Sequence, residues 1–127
     1  MDPRERIHRL VTEHPVVIFM KGTPQFPQCG FSARAVEALR ACGEDFAYVN
    51  IFEEPEIYQA LPGYSNWPTF PQVFIGGRLI GGCDITLELY QQGELQRLVK
   101  EAWEKARHRG PEEGSAAGEG GSATGEP

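Results

Sequence analysis

The sequence lacks both an excess of basic residues and a long apolar run. It contains 12 lysines and arginines against 18 aspartates and glutamates, a formal net charge of −6. Non-specific binding to nucleic acid depends on a basic face, so we predict no nucleic-acid partner. The longest early apolar run is Val16 to Met20, which is too short for a signal-peptide core or a membrane span. We therefore expect a cytoplasmic protein with no membrane-spanning segment.

Cysteine is also scarce, and its arrangement argues against a disulfide framework. The three cysteines, Cys29, Cys42 and Cys83, are odd in number and widely spaced. In a chain with no visible secretion signal, this pattern indicates reduced thiols and agrees with a cytoplasmic location.

The last part of the chain lacks the residues that build a hydrophobic core. Residues 110–127 contain six glycines and four glutamates, but no aromatic residue, no branched aliphatic residue and no lysine or arginine. Such a segment cannot bury enough apolar surface to offset the entropy lost on ordering. We predict one folded domain over residues 1–107, followed by a disordered acidic tail rich in glycine, glutamate and serine over residues 108–127. Residues 1–109 are nearly neutral, with 14 acidic and 12 basic residues.

Apolar spacing and turn residues predict an α/β fold. The expected strands cover 15–20 and 46–51, with a hairpin of 72–75 and 78–81 around two glycines. Helices are expected from Asp2, from Cys29 to a stop at Gly43, from Glu54 to about Leu61, from an N-cap at Asp84, and around residues 95–103. A strand–helix–strand unit followed by a hairpin gives a mixed four-stranded sheet with helices on both faces.

The segment from Cys29 to Ser32 carries the chemical signal. Cys29 opens a predicted helix, whose N-terminus favours a thiolate, and Lys21 would add to this effect if the loop between them folds back. A lone cysteine elsewhere is often a small buried apolar residue. Ser32 stands where a dithiol motif has its second cysteine, and a hydroxyl cannot resolve a mixed disulfide. Two uses remain open for Cys29: exchange with an external thiol such as glutathione, and ligation of a metal whose other ligands come from elsewhere.

Three segments in register carry a resemblance to a known family. They read MKGTPQFPQCGFS over 20–32, WPTFPQVFIGG over 67–77 and GGCD over 81–84. Together they resemble the monothiol glutaredoxins of the CGFS type, most of all the small bacterial single-domain members, over roughly residues 5–104. The resemblance implies a thioredoxin-like (glutaredoxin) fold, a glutathione-binding groove and a [2Fe–2S] cluster between two subunits. Cys29 would be the redox-active residue and the metal ligand, and two Cys29 sulfurs with two glutathione sulfurs would supply four thiolates.

The resemblance also assigns residues to glutathione. Pro71 matches a cis proline, beside which free backbone groups pair with an extended peptide. Backbone amides at the helix start near Asp84 would meet the γ-glutamyl carboxylate, and the Asp84 carboxylate would pair with the ammonium. Lys21 matches a lysine that contacts glutathione. The full predicted set is Lys21, Tyr58, Thr69, Phe70, Pro71, Gly82, Cys83 and Asp84.

Simpler structural roles stay open for several of these residues. Lys21 could be a solvated loop charge, Asp84 an ordinary N-cap, and Trp67 a packing residue. Cys83 would contribute mainly its backbone, although its thiol could form an occasional disulfide with Cys29 or with glutathione.

The sequence departs from the family pattern at Tyr58. Family members usually carry arginine at this position, and often a lysine near Gly63, and both cations would face the glycyl carboxylate of glutathione. Tyrosine offers one neutral hydrogen bond in place of a charged pair. We predict that glutathione binds more weakly here, by about 1–2 kcal/mol.

These patterns predict a monothiol glutaredoxin that carries or delivers a [2Fe–2S] cluster and is a homodimer when cluster-bound. BolA-family proteins and apo iron–sulfur proteins are the expected partners. The alternative is a glutathione-dependent oxidoreductase that reduces protein–glutathione mixed disulfides, and a third hypothesis is a regulatory adaptor that senses through its cluster. Ser32 favours the carrier. The three histidines, His8, His14 and His108, show no metal-ligand spacing and are predicted to lie at the surface.

Overall fold

The computed structural model describes residues 2–108, and all but one residue of the predicted tail lies outside this range. Five helices and four strands follow one another in this part of the chain, with a short 3₁₀ turn at Ile51–Glu53 after the second strand. Their bounds are α1 Pro3–Glu13, β1 Val16–Met20, α2 Gly30–Ala41, β2 Ala47–Asn50, α3 Pro55–Ser65, β3 Gln72–Ile75, β4 Arg78–Gly81, α4 Cys83–Gln91 and α5 Glu94–Arg107.

The four strands form one mixed sheet in the order β2–β1–β3–β4. The strand β1 runs parallel to β2 and antiparallel to β3, and β3 continues into β4 through the predicted glycine hairpin. This arrangement confirms the thioredoxin-like fold. None of the helices within residues 2–108 is both long enough and apolar enough to cross a membrane.

Helices cover both faces of the sheet, which explains why β1 is apolar throughout. Val16, Ile18 and Met20 pack into a core with α2 and α5. Val17 and Phe19 point to the opposite face and pack with α1 and α3. A strand buried on both faces has no polar side to alternate with its apolar one. The carboxyl end of β1 therefore leads from the centre of the molecule directly into the loop before Cys29.

Two predicted helix boundaries are wrong. The helix α3 continues through Pro62 to Ser65, whereas the prediction ended it near Leu61. Proline has a helical φ and costs one backbone hydrogen bond, and the full burial of Leu61 helps to offset that cost. Asp84 is not the N-cap of α4: Gly82 takes that position, and Asp84 lies in the first turn.

His14 is buried, which contradicts its predicted place at the surface. It caps the C-terminus of α1 with only 4% of its surface exposed, and its Nε2 has no hydrogen-bond partner within residues 2–108. Burial lowers the pKa of this imidazole, and the neighbouring Glu13 carboxylate opposes that effect. The helical spacing of α1 does not identify this position, because His14 follows the last helical residue.

The buried imidazole predicts a pH-dependent stability. Below about pH 6.5 the unfolded chain protonates His14 more readily than the folded chain does, so protons favour unfolding. We expect His14 to account for part of the stability that the protein loses between pH 7.5 and pH 5.5. Urea unfolding at both pH values should show a smaller loss in His14→Phe than in the wild type. The exposed-site control His8→Gln should match the wild type, and an unchanged slope in His14→Phe would refute this role.

Candidate functional site

A groove of about 640 Å³ opens beside Cys29, where five segments of the chain meet. These are the loop after β1, the N-terminus of α2, one side of α3, the loop before β3 and the first turn of α4. All of the predicted site residues line this groove: Lys21, Cys29, Tyr58, Thr69, Phe70, Pro71, Gly82, Cys83 and Asp84. The fold thus brings together residues that lie up to 63 positions apart in the chain.

Five further residues line the groove that the sequence did not assign to it: Phe31, Pro62, Trp67, Pro68 and Ile85. For Trp67 the sequence favours packing over ligand contact, and the structure buries its indole Nε1 without a hydrogen-bond partner among residues 2–108. Its place in the WPTFP segment was the one available signal. Phe31 lies inside the CGFS segment and is 53% exposed. The usual expectation that a phenylalanine is buried in the core therefore does not place it at the groove.

Cys29 is placed at the N-terminus of α2 with its thiol half-buried at the groove. It is the N-cap residue, with an extended backbone conformation and no capping hydrogen bond from its side chain. The backbone N–H of Ser32 is the main cause of the lowered pKa of Cys29, and burial opposes it. The backbone N–H of Phe31 and the ammonium of Lys21 lower this pKa further. The predicted acidification of this thiol is confirmed in direction.

Ser32 is fully buried, so it is a structural residue as well as the substitute for a second cysteine. Its Oγ accepts a hydrogen bond from the backbone N–H of Lys21 at 3.2 Å. The same side chain makes a small contribution to lowering the pKa of the Cys29 thiol. The Ser32 hydroxyl therefore ties the end of β1 to the start of α2.

The Lys21 ammonium should have a measurable but minor effect on Cys29. Replacing it in Lys21→Met removes one cause of the lowered pKa and leaves the stronger backbone N–H contributions in place. We expect the midpoint of the pH–rate profile for alkylation of Cys29 to rise, and the rate at pH 7 to fall by about two- to threefold. Peptide mapping after iodoacetamide treatment isolates Cys29 from the other thiols. Lys100→Met, on exposed α5, should leave the profile unchanged, and an unshifted Lys21→Met profile would contradict the prediction.

The predicted cis proline is present, since the Phe70–Pro71 peptide bond is cis. The loop before it is fastened by Gln72, which is fully buried at the start of β3. The Gln72 Nε2 donates hydrogen bonds to the carbonyl oxygens of Trp67 at 2.9 Å and Thr69 at 3.2 Å. From the sequence, Gln72 is predicted only as part of the strand 72–75, and the signal missed there is a polar residue within an apolar strand.

The first turn of α4 forms the far wall of the groove. A Cβ at Gly82 would lie 3.2 Å from the carbonyl oxygen of Pro71 and 3.4 Å from the Trp67 Nε1, so glycine permits a close approach of the two segments. The Asp84 carboxylate is exposed here beside free helix-terminal N–H groups. Cys83 is only 5% exposed, and burial raises the pKa of its thiol despite the opposing Arg34 charge.

The side chains of residues 2–108 do not form a metal site on their own. Within residues 2–108, no group of three or more histidine, cysteine, aspartate or glutamate side chains is placed to hold a metal ion. Cys29 combines accessibility with a lowered pKa, whereas burial raises the pKa of both Cys42 and Cys83. A metal centre at this groove would need donor atoms from outside residues 2–108.

The sequence matches glutaredoxins over most of its length. Residues 16–80 match the glutaredoxin family model. The chain is 55% identical over 108 residues to Glutaredoxin 4 of Escherichia coli (strain K12), which covers 85% of this chain and 94% of that protein. It is 56% identical over 99 residues to Glutaredoxin 4 of Pasteurella multocida (strain Pm70), with coverage of 78% and 91%.

Solved structures agree with the sequence match. The solution structure of reduced poplar apo GrxS14 superposes with a TM-score of 0.69 at 50% identity, covering 79% of this chain and 92% of that one. The crystal structure of the holo form of glutaredoxin C1 from Populus tremula x tremuloides gives a TM-score of 0.71 at 32% identity, with coverage of 79% and 88%. The chain therefore belongs to the glutaredoxin family, as a monothiol member with Ser32 in place of a second motif cysteine.

Proposed function

We propose that this chain binds glutathione along the groove and, as a homodimer, carries a [2Fe–2S] cluster for delivery to apo iron–sulfur proteins. Glutathione would lie across the groove with its γ-glutamyl end at the first turn of α4. The N–H groups of that turn suit a carboxylate, and the exposed Asp84 carboxylate suits an ammonium. The backbone beside cis-Pro71 would pair with the extended tripeptide.

The observation that carries this proposal is the Cys29 thiol, which within residues 2–108 is the one cysteine that lines the groove without being buried, and whose pKa is lowered. A [2Fe–2S] cluster needs four ligands, which in this class are thiolates. One chain offers one such sulfur at the groove, because Ser32 replaces the motif's second cysteine and Cys83 is buried. Two copies, each with one bound glutathione, would make up the set. In this proposal the cluster is the cargo. Two of its four ligands belong to glutathione, a small thiol, and not to the protein, and this suits release of the cluster.

The surface around Cys29 supports contact with another protein. Phe26 is 77% exposed and Phe31 is 53% exposed, on the loop before Cys29 and in its first helical turn. Exposed aromatic residues beside a reactive site are typical of interaction surfaces. We propose that this surface meets the second copy in the cluster-bound dimer and, by family resemblance, BolA-family proteins and recipient apo-proteins. A cytoplasmic location belongs to the same proposal.

The alternative function is reduction of protein–glutathione mixed disulfides. The helix-terminal N–H groups around Cys29 favour it, because they stabilise a nucleophilic thiolate in advance. In this reaction Cys29 would take the glutathionyl group and an external glutathione would resolve it, since the Ser32 hydroxyl cannot.

Anaerobic reconstitution with iron, sulfide and glutathione tests the carrier function. We expect a visible-absorbing species that elutes as a dimer, and neither property when dithiothreitol replaces glutathione. Dithiothreitol is the matched control because it supplies thiols without the γ-glutamyl and glycyl ends. No chromophore with glutathione would refute the carrier function, and rapid turnover of a glutathionylated peptide would then favour the oxidoreductase.

A further inference from the structure

We infer that Gln72 is a positioning residue for the groove, because its buried amide fixes the backbone of the preceding loop, residues 67–71, in the form that receives glutathione. Gln72 is not among the residues of the described chain that line the groove, so it acts through the loop. The inference rests on the glutathione binding proposed above, and it adds a residue outside the groove on which that binding depends.

The amide of Gln72 is presented from a rigid base. Gln72 is the first residue of β3 and lies opposite Phe19 of β1 in the antiparallel pair, and it is fully buried. The sheet fixes its backbone, and close packing restricts its side chain. A group on a packed strand holds its position more precisely than a group on a loop. Gln72 can therefore serve as a fixed anchor for the loop before it.

Both donors of this amide are used on the loop. The Nε2 group carries two N–H bonds, and it donates to the carbonyl oxygens of Trp67 at 2.9 Å and Thr69 at 3.2 Å. The Gln72 Oε1 is buried without a partner within residues 2–108, which costs stability. The contribution of glutamine at this position is therefore its pair of donors, which neither a glutamate carboxylate nor an apolar side chain can supply.

These two bonds leave the backbone of Phe70 as the part of the loop that can pair with a ligand. All five loop residues line the groove. The carbonyls of Trp67 and Thr69 are paired with Gln72, whereas neither the N–H nor the carbonyl of Phe70 is hydrogen-bonded within residues 2–108. Phe70 is only 8% exposed, and its ring lies edge-on to Tyr58 at 5.3 Å between centroids. The loop thus offers an unpaired N–H and an unpaired carbonyl, which suit an extended peptide.

A displaced loop would change the shape of the groove. A Cβ at Gly82 would lie 3.2 Å from the carbonyl oxygen of Pro71, so the loop and the first turn of α4 approach closely. Without the Gln72 donors, the carbonyls of Trp67 and Thr69 lose their partners and turn toward water. This turn moves the neighbouring Phe70 backbone, which then no longer matches the peptide bonds of glutathione.

A thiol exchange at Cys29 measures this effect on the bound tripeptide. The protein is converted to its Cys29–glutathione disulfide with glutathione disulfide, then equilibrated with equal concentrations of glutathione and 2-mercaptoethanol. The mercaptoethanol thiolate attacks the Cys29 sulfur, a new mixed disulfide forms, and glutathione leaves as a thiolate that takes up a proton. Intact-mass spectrometry gives the ratio of the two adducts, and peptide mapping assigns them to Cys29. Cys29 is in a disulfide in both adducts, so a changed thiol pKa does not alter the ratio.

We expect the wild type to favour the glutathione adduct, and Gln72→Met and Gln72→Glu each to lower that preference by about five- to tenfold. Gln96→Met is the matched control. Gln96 also has a buried Oε1 without a partner in the described chain, but it lies on α5, which contributes none of the described groove-lining residues. Its adduct ratio should equal that of the wild type. Urea unfolding of each variant reports whether it is folded.

Three results would overturn the role of Gln72 and leave glutathione binding intact. These are an unchanged ratio in both Gln72 variants, an equal loss in Gln96→Met, and failure of both Gln72 variants to fold. The last two would show a general effect on the fold in place of an effect on the loop. A wild type that forms no glutathione adduct, or that does not favour it over the mercaptoethanol adduct, would refute the proposed glutathione binding itself.

Discussion

Cys29→Ser is expected to lose the cluster completely and to stay monomeric after anaerobic reconstitution with glutathione. Within residues 2–108, each copy supplies at the groove a single cysteine sulfur that is not buried, so the substitution removes two of the four thiolates that the cluster needs. No neighbouring side chains within residues 2–108 form a group of three that could replace them. Visible absorbance and size-exclusion chromatography should both show no holo species.

Cys42→Ser is the matched control for this experiment. Cys42 lies at the other end of α2, where its Sγ donates a hydrogen bond to the carbonyl oxygen of Ala38 at 3.4 Å. It is outside the groove, so this variant should keep both the chromophore and the dimer. A Cys29→Ser protein that still forms the chromophore would show that the cluster is held elsewhere.

Gly22→Ala should destabilise the fold and disturb the loop that presents Cys29. Gly22 has a φ of +93°, and a Cβ there would lie 2.6 Å from the carbonyl oxygen of Phe26 and 2.7 Å from the backbone nitrogen of Gln28. These contacts are with backbone atoms, so no side-chain rotation relieves them. We expect a loss of about 2–4 kcal/mol in the free energy of unfolding, from backbone strain and overpacking together.

The same substitution should also slow the reaction of Cys29. The Gly22 N–H donates a hydrogen bond to the Asn50 Oδ1 at 3.0 Å. The preceding N–H, that of Lys21, donates a hydrogen bond to the Ser32 Oγ. A shifted loop would weaken both bonds and move Lys21 away from the thiol, so alkylation at pH 7 should become slower. Urea unfolding and alkylation rates measure the two effects separately.

Gly63→Ala provides the matched control for Gly22→Ala. Gly63 lies within α3, and a Cβ at this position would meet nothing within 4 Å. Alanine should therefore stabilise the protein slightly, by about 0.5–1 kcal/mol. Equal stability of the two alanine variants would contradict the role given to the Gly22 backbone.

The sequence predicted the fold where local pattern and tertiary environment agree. The apolar β1 and the glycine hairpin were predicted because their residues favour one structure in isolation and in the protein. The pattern failed at Pro62, where burial of α3 outweighs the local preference to end the helix. It failed again at His14, because a residue just past a helix has no periodicity that reports its burial.

The chemistry of the candidate site was predictable from the sequence, but only some of the residues that form the site were. Cys29 and Ser32 could be interpreted from residue type and position alone. A thiol at the start of a helix is favoured as a thiolate, and a serine in place of the second cysteine cannot resolve a mixed disulfide. Lys21 was expected beside Cys29 only on the condition that the loop between them folds back. Pro71 required the family resemblance, because no local rule brings it to Cys29. Gln72 was missed because its hydrogen bonds to the neighbouring loop exist only in the folded chain.

Native mass spectrometry of the reconstituted protein tests the central claim most directly. We expect one species that contains two chains, two glutathiones and one [2Fe–2S] cluster, and its loss when glutathione is removed. This composition follows from four ligands per cluster and from Cys29 as the one unburied cysteine at the groove among residues 2–108 of each chain. A cluster bound to a single chain, or to a dimer without glutathione, would contradict the account.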